Sequence, residues 1–332
     1  MAQGELIVDV HHHYMPAVLF DRLAAQAGGK RIVTKEISLT LHPSRKDLDS
    51  HIQTMDEAGV TVSILTVQVQ VMGADVARAL NDGVADVEHK HPTRFRSAIH
   101  LPIHEPQAAR RELERGINDL GLRAVALLAC HLDIQLDNPI MFPLYEIIQR
   151  NNLPIIIHPQ SKPTGSETTY NLDRCVFRPL ETTQAIVRVM NAVLPRYPEL
   201  RFVMPHLGGA TSSLKGRMMA FFETDDADIP SEMRGYLKTQ SEQKQFGLTE
   251  RFEKLFKRLY FDTAGTGAWL PSMAAAFNIT SPDRIMFGSD YPLECKTAAN
   301  ITESLEMIRQ APCSVAQKTA ILGRTAGGLF SL

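Results

Sequence analysis

The stretch Leu6–His13 reads LIVDVHHH, and it sets the frame for the rest of the chain. Its apolar, β-branched residues predict a short buried strand over Leu6–Val10. This strand runs directly into three consecutive histidines. Because side chains two apart on an extended chain point to the same side, we expect His11 and His13 to face one way and His12 to face the other.

Seven more short apolar runs follow, separated by stretches whose apolar residues recur at helical spacing. The predicted strands are Val60–Val67, Arg94–His100, Leu122–Leu128, Pro154–His158, Arg201–Pro205, Arg258–Asp262 and Arg284–Gly288. The predicted helices are Lys46–Ala58, Ala74–His89, Gln107–Leu120, Thr182–Leu194 and Ala298–Arg309. Eight strands alternating with helices favour a closed (β/α)8 TIM barrel over an open sheet.

The chain has 332 residues and no repeat or linker, which predicts a single barrel domain over residues 1–332. Three segments are longer than barrel connections require: Gly28–Leu41, Ser161–Arg178 and Phe222–Arg251. We expect them to be insertions at the C-terminal face of the barrel, the first of them a small hairpin. Long loops in compact domains usually serve as lids or partner surfaces.

The composition is that of a globular protein, with 44% hydrophobic residues, 22% charged residues and a formal net charge of −2. It contains no basic run interleaved with aromatics, no bilayer-length apolar stretch and no secretory signal pattern. We therefore expect no nucleic-acid or membrane partner and a cytoplasmic location. The four cysteines form no CxxC pair, and a disulfide framework is not expected.

Residues that can bind a metal stand at the predicted strand ends, where a TIM barrel carries its active site. His11 and His13 follow the first strand, His158 ends the fifth, His206 follows the sixth and Asp290 follows the eighth. Imidazole and carboxylate ligands together suit zinc, manganese or iron better than calcium or magnesium. The sequence thus predicts a metal centre at the mouth of the barrel.

Five ordered motifs, DVHHH, IIIHPQ, MPHLGG, LYFDTAG and MFGSDYP, resemble the amidohydrolase superfamily. The resemblance covers nearly the whole chain and is strongest to the branch that contains aminocarboxymuconate-semialdehyde decarboxylase. It implies one divalent metal held by His11, His13, His158 and Asp290, with a water completing the shell. It also implies a catalytic role for His206 and a homodimer. We expect zinc as the metal, with manganese as the alternative.

The end of the fourth strand bears on the number of metals. Binuclear members of the superfamily carry a carboxylated lysine there, whereas this chain reads Leu128-Ala129-Cys130-His131. The missing lysine disfavours a second metal. We expect His131 not to replace it.

The resemblance implies a carboxy-lyase that removes CO2 from a small aromatic or muconate-like carboxylic acid. His206 would take or hold a proton at a metal-bound water, and Asp290, the anionic ligand, could pass a proton onward. The same ligands would serve a hydrolase of lactones, esters or carbon–carbon bonds, or a hydratase. A metal-binding barrel without turnover is a further alternative, which the presence of His206 disfavours.

A carboxylic acid substrate needs a cationic partner, and arginine suits bidentate recognition of a carboxylate. The candidates are Arg45, after the first strand, and Arg174 and Arg178, after the strand that ends in His158. Asp262 could orient a ligand histidine or cap a loop, and Asp9 should support the turn between His11 and His13. Further candidates for an aromatic pocket wall are Tyr14, Phe177 and Trp269.

Overall fold

The structure is a computed structural model that describes residues 5–28, 31–33, 38–67, 73–160, 169–222 and 248–332. Eight parallel strands form one sheet in chain order. These barrel strands, numbered one to eight below, are Val8–His13, Val62–Thr66, Phe95–His100, Ala124–Leu128, Pro154–His158, Arg201–Met204, Tyr260–Asp262 and Ile285–Met286.

Backbone hydrogen bonds join the eighth strand and its extension to the first. Val10 N donates to Phe287 O at 3.0 Å, and Asp290 N donates to His11 O at 2.9 Å. A parallel bridge between His12 and Tyr291 continues this contact. The sheet therefore closes on itself, and the predicted (β/α)8 barrel is confirmed.

Helices follow the strands around the outside of the barrel. The α-helices are Ala17–Ala27, Leu48–Ala58, Ala74–Lys90, Pro106–Asn118, Phe142–Arg150, Arg178–Arg188, Thr211–Ala220, Leu248–Phe256, Leu270–Phe277, Ala298–Gln310, Val315–Thr319 and Thr325–Phe330. π-helical turns lie at Asp173–Phe177, Val189–Val193 and Ala320–Arg324, and a 3-10 turn at Pro43–Arg45 precedes the second helix. Local signals set the ends of that helix. The Asp47 carboxylate caps it by accepting from Ser50 N, and Gly59, with φ of 75°, ends it.

The first insertion contains the expected hairpin, in which Arg31–Val33 pairs antiparallel with Ser38–Thr40. A second small hairpin, Cys130–His131 with Ile134–Gln135, follows the fourth strand. It was not predicted because two residues per strand are too few to show a period. Within the other two expected insertions, residues 161–168 and 223–247 lie outside the described part of the chain, and so does any closure of these loops over the site.

Two apolar layers hold the barrel together. The larger lies between the strands and the helices. The smaller fills the barrel interior with side chains from seven of the eight strands and from the C-terminal helix, Val8, Val10, Val62, Ile64, Ala98, Ala124, Ala126, Ile156, Val203, Met286, Ala326, Leu329 and Phe330. The site residues stand at the other end of the barrel from the C-terminal helix, because they lie at the C-terminal ends of the strands. In the described residues, every helix is too short or too polar to cross a bilayer.

Candidate metal centre

Three histidines and one aspartate meet at the C-terminal mouth of the barrel. Ligand atoms of His11, His13, His158 and Asp290 all lie within 4.8 Å of one another. His11 and His13 lie at the end of the first strand, where its pairing register with the second strand is irregular. Both side chains point inward, and the side chain of His12 points away. This is the side-chain alternation expected from the sequence, and it brings together the predicted ligand set.

The Nδ1 atom of each histidine faces an oxygen acceptor. His11 Nδ1 donates to Asp262 Oδ2 at 2.9 Å, and His158 Nδ1 donates to the Pro159 carbonyl at 2.6 Å. His13 Nδ1 lies 3.3 Å from both the carbonyl and the hydroxyl of Thr66. A proton on Nδ1 leaves the Nε2 lone pair as the metal-binding atom in each ring, as in histidine metal sites generally.

Burial and neighbouring charges shift the pKa values of these three imidazoles in different directions. Burial lowers the pKa of His13 and of His158 well below the ordinary value, and nearby imidazoles act in the same direction. Burial also lowers the pKa of His11, but the ion pair and hydrogen bond with Asp262 outweigh it and raise that pKa to about 9. His11 is therefore the most basic of the three imidazoles.

The donor set fits a divalent cation. His11 Nε2 and Asp290 Oδ1 are both buried, and neither makes a hydrogen bond of good geometry. Asp290 Oδ1 lies 2.8 Å from His13 Nε2 and 3.8 Å from His11 Nε2. Buried polar atoms without partners cost free energy unless something satisfies them. Three imidazoles and one carboxylate aimed at a common point suit a transition-metal ion or zinc.

His206 stands beside this cluster on a tight backbone turn. Its ring centroid lies 5.2 Å from that of His11, outside the group of four. His206 and Leu207 both adopt positive φ, 51° and 53°, and Gly209 follows with φ of 65°. A Cβ at Gly209 would lie 2.2 Å from the Pro179 carbonyl, so only glycine fits. Asp290 also has positive φ, and such backbone strain often occurs at functional sites.

Asp262 connects His206 to the ligand His11. One carboxylate oxygen binds His11 Nδ1, and the other accepts from the backbone N–H groups of His206 at 2.9 Å and Ala264 at 3.0 Å. The two roles considered for this residue, orienting a ligand and capping a loop, are thus combined in one carboxylate.

Asp9 supports the opposite side of the centre. Its carboxylate accepts from His11 N at 3.1 Å, from Ser289 N at 2.9 Å and from the Ser289 hydroxyl at 2.6 Å. It therefore ties the turn of His11 and His13 to the turn that carries Asp290. The sequence suggested the first of these links but not the second.

A cavity of about 320 Å³ opens beside His206, and two of the predicted arginines, Arg174 and Arg178, line it. Arg178 also pairs with Asp173, with Nε 3.0 Å from the carboxylate. Glu294 lies on the cavity wall as well, close to Gly265, and no sequence signal marked it.

The third arginine, Arg45, is only 2% exposed. Burial lowers its pKa to about 10, while the nearby Asp290 charge acts in the opposite direction. Arg45 is therefore cationic at neutral pH, and the charge of Asp290 stabilises this cation.

Four other candidates lie elsewhere. Tyr14 is buried against His51, whereas Phe177 and Trp269 are 42% and 58% exposed, and none of the three lines the cavity beside His206. His131 accepts a hydrogen bond from Leu128 N, and it stands outside the one metal-binding group found in the described residues.

Fold and site together define a metal-binding (β/α)8-barrel protein of the kind that carries its ligands on strands one, five and eight. The amidohydrolase family model matches residues 8–332, and the chain belongs to this family. It is 25% identical over 304 residues to a gamma-resorcylate decarboxylase from Polaromonas sp., covering 86% of this chain and 87% of that protein. It is 29% identical over 183 residues to 2-amino-3-carboxymuconate-6-semialdehyde decarboxylase from Dictyostelium discoideum, covering 52% and 51%.

A solved structure shares the fold. The dihydroxybenzoic acid decarboxylase from Polaromonas sp. JS666, with bound manganese and the inhibitor 2-nitroresorcinol, superposes with a TM-score of 0.74. It is 22% identical in sequence, and the match covers 99% of this chain and 98% of that one. The branch suggested by the sequence motifs is therefore also the branch of these relatives.

Proposed function

We propose that this protein is a metal-dependent carboxy-lyase that removes CO2 from a small aromatic or muconate-like carboxylic acid. The observation that carries the proposal is the group of His11, His13, His158 and Asp290 within 4.8 Å, beside a cavity lined by His206 and two arginines. The decarboxylase names of the relatives support the same chemistry.

These four side chains would hold one divalent metal ion, which supplies Lewis acidity and fixes the oxygens of a bound acid. Zinc is the expected metal, and the manganese in the superposed decarboxylase supports the alternative. Elemental analysis of protein purified without chelator distinguishes the two.

The chain itself supplies charge and protons. His206 Nδ1 donates to the Ala264 carbonyl at 3.1 Å, which leaves Nε2 as its reactive nitrogen. In the reaction a proton adds to the carbon bearing the carboxylate, and the new C–H bond is formed from a π-electron pair of the ring or double bond. The bond to the carboxylate then breaks, its electron pair restores the π bond, and CO2 leaves. His206 and Asp290 are the proposed proton-transfer groups. Arg45, Arg174 and Arg178 are the proposed partners of the substrate anion.

A homodimer and a cytoplasmic location stay predictions. Several exposed apolar side chains close to the cavity, Tyr170, Val176, Phe177 and Leu180, offer a surface for self-association.

The test combines metal content with CO2 release from a panel of aromatic and muconate-type acids. We expect one metal per chain and CO2 release from at least one acid. His158→Ala should remove the metal and the activity together. His206→Ala should retain the metal and reduce turnover by roughly 100-fold or more. Acid production from lactones or esters without CO2 release would instead assign a hydrolase, and unchanged metal content in His158→Ala would refute the ligand set.

A further inference from the structure

A chain of hydrogen bonds through two buried histidines leads away from the metal centre. His12, which points away from the ligands, has Nδ1 3.1 Å from Asp9 Oδ2 and Nε2 2.7 Å from His51 Nδ1. His51 Nε2 lies 2.7 Å from the Ser44 carbonyl. Both rings are fully buried. The chain thus connects the carboxylate that ties the two ligand turns together to the loop after the first strand.

The direction of these hydrogen bonds follows from their ends. A carbonyl oxygen only accepts, so His51 Nε2 donates to Ser44. Burial lowers the pKa of His51 to about 3, and its ring therefore carries one proton at neutral pH. His51 Nδ1 consequently accepts from His12 Nε2. The His51 ring acts as one acceptor and one donor in fixed positions.

Aromatic packing holds His51 in this orientation. Its ring meets Tyr291 edge to face, with centroids 5.0 Å apart, and meets Tyr14 in the same way at 5.4 Å. The Tyr291 hydroxyl accepts from Thr54 at 3.2 Å. The ring therefore has two aromatic neighbours and two bonded nitrogens, and a shift of His51 would require several neighbours to move.

The far end of the chain reaches the residue before Arg45. Ser44 belongs to the short turn Pro43–Arg45, and the Arg45 carbonyl accepts from Met15 N at 2.8 Å. Arg45 is buried, and burial lowers the pKa of its guanidinium, while the Asp290 charge raises that pKa and the Arg178 charge lowers it. The turn is thus held by His51 on one side and by the end of the first strand on the other, with the guanidinium near the site.

We infer that His51 is a positioning residue: it fixes the turn Pro43–Arg45 so that the Arg45 guanidinium meets the carboxylate of the substrate. The inference rests on the proposed function in assigning a carboxylate to Arg45. It assigns to His51 no contact with substrate or metal. A disturbed turn should therefore weaken binding of the ligand's carboxylate and leave the contacts to the rest of the ligand unchanged.

Two substitutions separate the roles of the ring. His51→Phe keeps a similar packed volume and removes both hydrogen bonds, while His51→Gln keeps one acceptor and one donor. His131→Phe is the matched control, because His131 is an equally buried histidine in the small hairpin after the fourth strand, and its hydrogen bond is with Leu128 N and not with the turn Pro43–Arg45. Manganese content and far-ultraviolet circular dichroism establish that each variant is folded and loaded.

The first readout is the affinity of the manganese-loaded protein for gamma-resorcylate and for resorcinol, which lacks the carboxylate. We expect His51→Phe to weaken gamma-resorcylate binding about tenfold and to leave resorcinol binding unchanged. His51→Gln should stay within about threefold of the parent, and His131→Phe should equal it. Equal losses for both probes, or none, would overturn the inference.

The second readout does not depend on ligand binding or turnover. Phenylglyoxal modifies accessible arginines, and mass spectrometry reports the fraction of Arg45 modified. We expect faster modification of Arg45 in His51→Phe than in the parent or in His131→Phe. An unchanged rate would refute the positioning role even in a protein that does not bind gamma-resorcylate. Parent protein that binds gamma-resorcylate but releases CO2 from no acid of the panel would contradict the proposed function and leave the positioning role intact.

Discussion

At the scale of single residues, the metal centre depends on the groups behind its ligands. The Asp262 carboxylate accepts from His11 Nδ1 and from two backbone N–H groups, one of them that of His206. It therefore orients a metal ligand and the proposed catalytic histidine at once. Burial raises the pKa of Asp262, but the neighbouring His11 charge outweighs it and the net pKa is lowered, so the group is anionic at neutral pH.

Asp262→Asn tests this arrangement. The amide keeps the shape but removes the charge that makes His11 basic, and we expect metal affinity to fall by about 10–100-fold. Competition against a fluorescent chelator measures that affinity. The exposed Asp283→Asn serves as control and should match the parent. Unchanged affinity in Asp262→Asn would show that the carboxylate only caps the loop.

The site residues that could be predicted from the sequence are those whose side-chain type can bind a metal. His11 and His13 follow from a two-residue period, and His158 and Asp290 follow from their places at strand ends. The groups that orient these ligands are harder to predict. The acceptor for His158 Nδ1, for example, is the backbone carbonyl of Pro159, a group that every residue type has. The contact between His12 and His51 joins residues 39 apart and depends on how the second helix packs, which no local pattern encodes.

At the scale of elements, two strands begin one or two residues later in the structure than the sequence pattern predicted. The apolar pattern placed strands from Arg94 and Arg258, whereas the observed strands begin at Phe95 and Tyr260. These arginines donate instead to carbonyls of neighbouring connections: Arg94 binds Thr61 O at 3.2 Å, and Arg258 binds Leu194 O at 3.3 Å. The Arg94 carbonyl still accepts from Ser63 N at 2.9 Å, so the strand boundary differs from the predicted one by only a residue or two.

The C-terminal helix closes the N-terminal end of the barrel. Phe330 is 3% exposed and packs with Leu329 in the interior layer, so Phe330→Ala should reduce the free energy of unfolding by about 3–5 kcal/mol. Leu332→Ala, at a side chain that is 38% exposed, should cost less than about 1 kcal/mol. Urea unfolding of the two variants gives the comparison. Equal losses would mean that the helix does not seal the barrel.

At the scale of the whole molecule, buried histidines make the stability of the barrel depend on pH. Burial, followed by the charge of nearby His104, lowers the pKa of His131 from 6.5 to about 3. Burial lowers the pKa of His51 and of His100 to about 3 as well. Each ring stays neutral in the folded protein over a range where it would be protonated in the unfolded chain.

The sign of the effect follows from proton counting. Between pH 6.5 and 3 the unfolded chain binds more protons at these rings than the folded one, so the free energy of unfolding falls as the pH falls. A single such histidine contributes a slope of about 1.4 kcal/mol per pH unit in that range. Above pH 6.5 the ring is neutral in both states and contributes no slope.

His131→Gln should therefore flatten the pH dependence of stability below pH 6.5, whatever it does to stability at neutral pH. The measurement is the urea-derived free energy of unfolding at several pH values from 7.5 down to about 4.5, for the variant, the parent and His89→Gln, whose side chain is exposed. All three proteins are measured after the metal has been removed with a chelator, so metal loss at low pH does not enter the comparison. Parallel curves for His131→Gln and the parent would mean that His131 titrates alike in the folded and unfolded states, and the acid sensitivity of the barrel would then have to come from other groups.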